Sequence, residues 1–365
     1  MAALVDPLVA GTVVVALAGA AALFLLFKRK EQIADYEPLQ WPKWKAAVAK
    51  GARHSTGWRK SKDGTVDLFW QEHRPAVKAG ARPKAALIFG HGIHDHCERF
   101  NHFFEELCGK HNMIVLSMDY RGHGRSTAGR GAAPPSGYFH TWDGVLDDWA
   151  DFIRFATARV NDSADQPYPV GGGGGGDAIP VFLAGNSFGA MLTLHTLLRR
   201  PEEVMAEDVK PAGVVLLAPF IDVPRPLLLR LQEAFAPLLS ALVPGVRLVE
   251  AALPEVLSSD PRAVEQYVAD PLTVQKKIFI RPGWLMGQAS YWLATHKGEF
   301  DLPLLAIHGD ADRCCSFPHT AAFVEACGSK DKTLVPLEGG AHLIMHGPER
   351  QHVTDTLAKW ILDRA

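Results

Sequence analysis

The 365-residue chain has almost no net charge, few cysteines and no phosphate-binding loop. Its 38 Lys and Arg against 40 Asp and Glu leave a formal charge of −2, which gives no overall pull toward nucleic acid. The five cysteines, at positions 97, 108, 314, 315 and 327, are an odd number without the spacing of a disulfide framework. This fits a reducing compartment, or no dependence on disulfides. Six consecutive glycines end at Gly176 without the Gly-Lys-Ser/Thr that a phosphate loop needs. The stretch from Pro167 to Gly176 therefore reads as a mobile surface loop. No Lys or Arg precedes Lys28, so the N-terminus lacks the positive leader of a secretory signal. Apolar residues, by contrast, make up 47% of the chain, which suits one large α/β domain with an inserted piece.

Leu8 to Phe27, LVAGTVVVALAGAAALFLLF, is a run of 20 residues without a charge. As a helix it would be about 30 Å long, the thickness of a bilayer core. Lys28-Arg29-Lys30 follows at once, which puts the C-terminal bulk on the cytosolic side. Residues 1–30 are therefore expected to be a single-pass membrane anchor, with the endoplasmic reticulum one candidate membrane. Residues 31–60 read as a juxtamembrane linker. From 28 to 60 there are nine basic residues against Glu31, Asp35 and Glu37, interleaved with Trp41, Trp44 and Trp58. That mixture suits the headgroup layer of an anionic membrane, and equally a solvated linker.

Beyond residue 60, short buried strands alternate with helical patterns, which implies a mostly parallel central sheet with helices on both faces. AALIFGHG (85–92) reads as a buried strand ending in His-Gly, and MIVLSMDYRGHGRS (113–126) as another ending in a charged, Gly-rich loop; 142–160 has apolar residues at helical spacing. The centre of this pattern is IPVFLAGNSFGAM (179–191), a strand, a tight turn with a central serine, and a helix. That is the context of a G-x-S-x-G nucleophile elbow, in which a strained turn pushes the Oγ of Ser187 beyond the strand end. The flanking glycines, Gly185 and Gly189, leave room for neighbouring backbone. After AGVVLLAPF (212–220), no buried β-run is expected until about Glu299. Instead there are leucine-rich helical pieces cut by prolines, with Leu231, Phe235, Leu238, Leu239 and Leu242 on one side and Pro237 to bend the helix. Such leucines suit an apolar substrate tunnel, or an insertion that buries them on the core. The expected organisation is a core over 61–220, a helical cap over 221–299 inserted after the sixth strand, and the rest of the core over 300–365.

A serine at its free pKa is a poor nucleophile and needs a base, oriented by an acid. In a serine-elbow hydrolase the chain order is Ser, acid, His, with the last two on loops after late strands. Asp312 follows the strand LLAIHG, and His342 follows the last strand. Asp312 is favoured over Asp310, which could instead fix the loop through backbone N–H bonds. His342 is favoured over His346 and over His308, which lies within the strand and reads as structural. Two backbone N–H groups are candidates for an oxyanion hole: Phe188, at the start of the helix, and Ile93, after the His91-Gly92 turn. His91, His94, Asp95 and His96 look like the ligand box of dinuclear zinc hydrolases. Ile93 stands where its second His is needed, so a zinc site is disfavoured, and serine chemistry of this kind needs no metal or organic cofactor.

With HGIHDHCERF, MDYRGHGRS, GNSFG, HGDADRCC and GGAHLIMHGPE in this order, the chain resembles the monoacylglycerol lipase and lysophospholipase group of the α/β-hydrolase fold from about Trp58 onward. The resemblance implies a catalytic triad of Ser187, Asp312 and His342, with oxyanion N–H groups on Ile93 and Phe188. It also implies that Cys315 lines the substrate pocket. The expected activity is hydrolysis of a monoacylglycerol-type ester through an acyl-enzyme, with a lipid ester and a membrane as partners. A lysophospholipase or acyltransferase with the same triad, or a catalytically silent binding protein on the same fold, are the alternatives. Epoxide hydrolases and dehalogenases carry Asp at the elbow and are disfavoured by Ser187. The group usually has His-Ser-Met where this chain has Asn186-Ser187-Phe188, and the larger Phe188 would narrow the acyl entrance.

Overall fold

The structure, a computed structural model, describes residues 53–76, 82–127, 136–162, 178–223, 227–249 and 254–365, with the side chains of Leu228 and Val249 left aside. The expected anchor, the first part of the linker and the glycine loop lie outside the described residues. Among the described residues no helix is long and apolar enough to cross a membrane.

Strands β1 (Arg53–Lys60), β2 (Asp67–Arg74), β3 (Ala85–Gly90), β4 (Met113–Met118), β5 (Val181–Asn186) and β6 (Gly213–Leu217) come first. A short pair, β7 (Arg247–Val249) and β8 (Ile278–Phe279), precedes β9 (Leu304–Gly309) and β10 (Lys332–Leu337). Eight of these form one sheet in the order β1-β2-β4-β3-β5-β6-β9-β10. β1 and β2 are antiparallel additions at one edge, and β4, β3, β5, β6, β9 and β10 are parallel throughout. All residues of β3, β4, β5, β6 and β9 are buried, as continuous apolar runs covered on both faces must be.

The linker expectation is corrected at its end. Residues 53–60, read as juxtamembrane, form the edge strand β1, in full register with β2 from Arg53↔Arg74 to Lys60↔Asp67. Basic and polar residues dominate it because an edge strand keeps one face and one side toward water. Trp58 packs edge-on to Phe69 at 5.5 Å while remaining half exposed.

The longer helices among the described residues are α1 (Asn101–His111), α2 (Trp142–Asn161), α3 (Phe188–Arg199), α4 (Leu227–Leu242), α5 (Pro261–Ala269), α6 (Ile280–His296), α7 (Phe317–Ala326) and α8 (Arg350–Leu362). Thr141 caps α2 by accepting the Gly144 N–H, and the apolar stripe from Val145 to Val160 packs on one face of the sheet with α3. α1 and α8 cover the other face, against Leu87, Phe89, Phe182 and Leu305. Neighbouring strand residues such as Leu87 and Ile88 therefore belong to opposite layers.

The cap follows β6, the sixth strand in chain order, and holds α4, α5, α6 and the β7–β8 ribbon. The ribbon is too short to show as a β-run in the sequence. Pro237 lies inside α4 without ending it. The tunnel and core-packing expectations are corrected at Leu231, Phe235, Leu238 and Leu242, while Leu239, the other residue of the stripe, is partly buried. Leu227, Leu231, Phe235, Leu238 and Leu242 are each more than half exposed, on the outer side of a helix whose inner side rests on α6.

Candidate active site

β5 ends in Asn186, and α3 begins at Phe188, leaving Ser187 alone at the turn with φ +53 and ψ −114. A positive φ is costly for a residue with a Cβ and persists only where the surroundings hold it. Here the Ser187 N–H donates to Leu217 O (2.9 Å), its C=O accepts from Phe220 N (3.0 Å), and Asn186 Nδ2 donates to Leu217 O (3.1 Å). The turn is thus bolted to the end of β6. It also needs bare backbone beside it: a Cβ on Gly189 would stand 2.4 Å from Gly90 O and 2.6 Å from His91 O.

The same contact brings in the loop after β3. Gly90 pairs with Gly185, so the chain leaving β3 runs beside the elbow. A Cβ on Gly92 would be 3.6 Å from Ser187 Cβ. Ile93 follows, and Phe188 opens α3, where the first N–H groups have no intrahelical acceptor. Both expected oxyanion donors therefore flank the same serine. The Phe188 ring points elsewhere. It is fully buried among Tyr120, His123, Phe139 and Trp142 at 5.8–6.4 Å, so its bulk is taken up by the core, against the expectation that it narrows an entrance.

Asp312 and His342 meet because the loops after β9 and β10 approach closely. A Cβ on Gly309 would lie 2.1 Å from Gly340 O, and Ala311 N donates to Gly340 O. Asp312 Oδ2 accepts from His342 Nδ1 at 2.7 Å and from His308 Nε2 at 3.0 Å. Its Oδ1 accepts the N–H groups of Cys314 (2.7 Å) and Cys315 (3.0 Å). Burial opposes the negative charge on Asp312, but His342, His308 and these N–H groups hold its carboxyl far below the ordinary range. Burial likewise opposes charge on His342, and Asp312 outweighs it, so the imidazole's pKa lies above the ordinary histidine value. The rivals have other partners. Asp310 accepts the Gly339 N–H at 2.7 Å and fixes the loop, and His346 Nε2 bonds Arg99 O at 3.2 Å. His308, read as structural, proves to be a second support of Asp312, steadied by Thr320 Oγ1 at 2.9 Å from its Nδ1. The signal for it was its position four residues before the acid at the end of a buried strand.

Ser187 Oγ lies 3.9 Å from Cys315 Sγ, whose own N–H holds Asp312. Cys315 is buried, and burial with the nearby Asp312 carboxylate pushes its thiol pKa far up, leaving it a neutral apolar wall. Ser187 and His342 are not hydrogen-bonded to each other, which is common before substrate tightens such a site. Ligand atoms of Asp312, Cys314 and His342 lie within 4.8 Å of one another and could hold a metal ion. Both Asp312 oxygens, however, are already engaged by N–H groups.

The family described as serine aminopeptidase, S33 (Hydrolase_4) matches residues 81–349. Among curated proteins, the chain is 27% identical to a monoglyceride lipase of Rattus norvegicus over 269 residues, 73% of this chain and 78% of that enzyme. It is also 27% identical to a monoacylglycerol lipase of Mycolicibacterium smegmatis over 287 residues, 77% of this chain and 89% of that enzyme. Among solved structures, a soluble variant of the Saccharomyces cerevisiae monoglyceride lipase with a substrate analogue superposes with a TM-score of 0.68. It is 18% identical, and the match covers 84% of this chain and 94% of that one. The Paleococcus ferrophilus monoacylglycerol lipase gives 0.63 at 22% identity, over 82% of this chain and 99% of that one. With this fold, these relatives and the family match, the chain belongs to the Hydrolase_4 family of α/β-hydrolases, in its monoacylglycerol lipase group, and is a serine carboxylic-ester hydrolase.

Proposed function

We propose that the protein cleaves the ester of a monoacylglycerol-type lipid to glycerol and a free fatty acid. Ser187 attacks the carbonyl carbon, and His342 Nε2 takes the serine proton as the bond forms. The negative charge that gathers on the carbonyl oxygen is met by the N–H groups of Ile93 and Phe188. Collapse of the tetrahedral species expels the glycerol oxygen, which leaves with the proton from His342. Water, deprotonated by the same nitrogen, then frees the fatty acid from Ser187. Asp312 keeps the His342 tautomer with its proton on Nδ1 and stabilises the imidazolium.

One observation carries this reading: the Asp312 carboxylate, saturated by four donors, sits 2.7 Å from His342 Nδ1. That bond leaves Nε2 as the ring nitrogen able to exchange a proton with Ser187. No step calls for a metal or organic cofactor.

We further place the reaction at a membrane surface. The outward apolar face of α4 exposes five large side chains that the fold itself does not use. The uncharged run from Leu8 to Phe27 and the basic residues after it would hold the catalytic domain there, on the cytosolic side. The test is fatty-acid release from a monoacylglycerol and a lysophosphatidylcholine, side by side, by the membrane-bound protein. Turnover of the monoacylglycerol supports the reading; turnover of the lysophospholipid alone would replace the substrate and keep the mechanism.

A further inference from the structure

The loop that carries the Ile93 N–H is held from two sides. On the core side, Asp95 Oδ1 accepts from the His96 N–H (2.8 Å) and from Arg99 Nε (2.8 Å), and Oδ2 accepts from Arg99 Nη2 (3.0 Å). The Cys97 N–H donates to Asp119 Oδ1 at 2.8 Å. These bonds fix the loop's exit. Within the loop the Asp95 N–H donates to Gly92 O at 3.3 Å, closing a turn over Ile93 and the strained His94. His94 has φ +61, and a non-glycine residue keeps that conformation only if something beyond its own preference enforces it.

The cap reinforces that turn from the other side. Val274 N–H donates to His94 O at 3.0 Å, and His96 Nε2 lies 2.9 Å from Asp270 Oδ2. Asp270 is itself aimed by the Leu272 N–H, which its other oxygen accepts at 2.9 Å. Both side chains of the pair are buried. Burial disfavours charge on each. Their mutual attraction nevertheless raises His96 above the ordinary histidine value and lowers Asp270 below the ordinary carboxylate one. Asp270 also stands just past the last residue of α5, where the helix dipole disfavours a negative charge. A carboxylate there is poorly placed for the cap alone and well placed for the imidazole across the gap.

We infer that cap residues 270–274 position the oxyanion loop, with Asp270 and His96 as positioning residues that hold the Ile93 N–H in register with Ser187. This rests on the reading of Ile93 as an oxyanion donor. The cap then does more than cover the site: when it is seated the donor is aimed, and when it shifts the donor is lost. Neither Asp270 nor His96 touches the reacting atoms.

The test uses a short, soluble p-nitrophenyl ester, which needs little from the cap for binding, and the full chain carrying Asp270→Asn, His96→Gln, or both. A trifluoromethyl ketone, which forms a tetrahedral adduct with the serine, reports the oxyanion hole directly. The expected result for each single variant is a fall in kcat of about tenfold or more, since losing a donor outright costs roughly 10²–10³. KM should stay within about twofold, because only transition-state contact is lost. Ketone affinity should fall by the same factor as kcat/KM, as differential transition-state binding requires. The double variant should be no worse than the worse single one, because the two act as a pair. A raised KM at unchanged kcat would overturn the inference, and so would a lower kcat with unchanged ketone affinity. Should Asp270→Asn fail to fold, the decision rests on His96→Gln by the same criteria. Ser187→Ala run in parallel separates the two claims: full activity there defeats the serine reading itself, whatever the pair does.

Discussion

The core and the cap use the same kind of residue in opposite ways. In β3, β4, β5, β6 and β9 no side chain is exposed, and Leu87, Phe182 or Leu305 each serve a layer that packs on helices. In α4, Leu227, Leu231, Phe235, Leu238 and Leu242 look outward, and the fold gains little from them. The core's apolar residues build the scaffold on which Ser187, Asp312 and His342 are set. The cap's outer apolar face stays exposed among the described residues. Lesions in the core should therefore change the chemistry for every substrate. Lesions on the outer cap should change only how an aggregated substrate is met, and those on its inner edge at Asp270 lie between.

The largest effect is expected from Asp312→Asn. It leaves His342 with the wrong tautomer, and kcat on a soluble ester should drop on the order of 10⁴. Gly189→Ala comes next. The new methyl would meet backbone oxygens at 2.4 and 2.6 Å that cannot rotate away, so thermal unfolding should move down by many degrees and activity with it.

A pH titration sharpens the same contrast in two readouts. His342 must be neutral to accept a proton, and its pKa is raised by Asp312. The acid limb of kcat/KM should therefore have its midpoint above about 6.5, the ordinary histidine value. Stability should fall on the acid side for a different reason. Burial holds His91 at about 4 and His123 at about 3 in the folded state. An unfolded histidine takes up its proton near 6.5, so between about 6.5 and these values the unfolded chain binds more protons. The melting temperature should decline from pH 7 to pH 5, even at constant ionic strength. A flat profile would mean that these rings are not buried as neutral groups.

The smallest effect on the chemistry, and the sharpest split between substrates, is expected from charges on the outer cap. Leu231→Asp with Phe235→Asp should leave kcat on a soluble ester within about twofold, as exposed changes away from a site usually do. Release of fatty acid from vesicle-borne monoacylglycerol should drop by roughly tenfold, because lost apolar area weakens contact with lipid. Equal loss on both substrates would erase the distinction between core and cap.

How far the sequence disclosed this depends on whether one segment or two were needed. The elbow was legible because GNSFG lies between a buried run and a helical one, and the turn's sterics act over five adjacent residues. Asp312 and His342 were legible because a parallel sheet gathers the ends of its strands, so residues just after β9 and β10 must share an edge. The His96–Asp270 pair was not legible. Its members are far apart in the chain, and their meeting depends on how the cap docks, which no local pattern encodes. β1 looks like linker in the sequence because its residues alternate only between exposed and half-buried, so it lacks the apolar run that marks inner strands. For α4, the spacing of Leu231, Phe235, Leu238 and Leu242 disclosed a stripe but not its direction. A stripe that faces water and one that faces a core have the same period.

The central claim is that Ser187 is the nucleophile for a monoacylglycerol. The most direct test is fatty-acid release from that lipid by the membrane-bound wild type and by Ser187→Ala, with folding checked by thermal melting. The account predicts turnover by the wild type and loss of at least about 10³-fold in a variant that melts normally. Undiminished release by Ser187→Ala would contradict it.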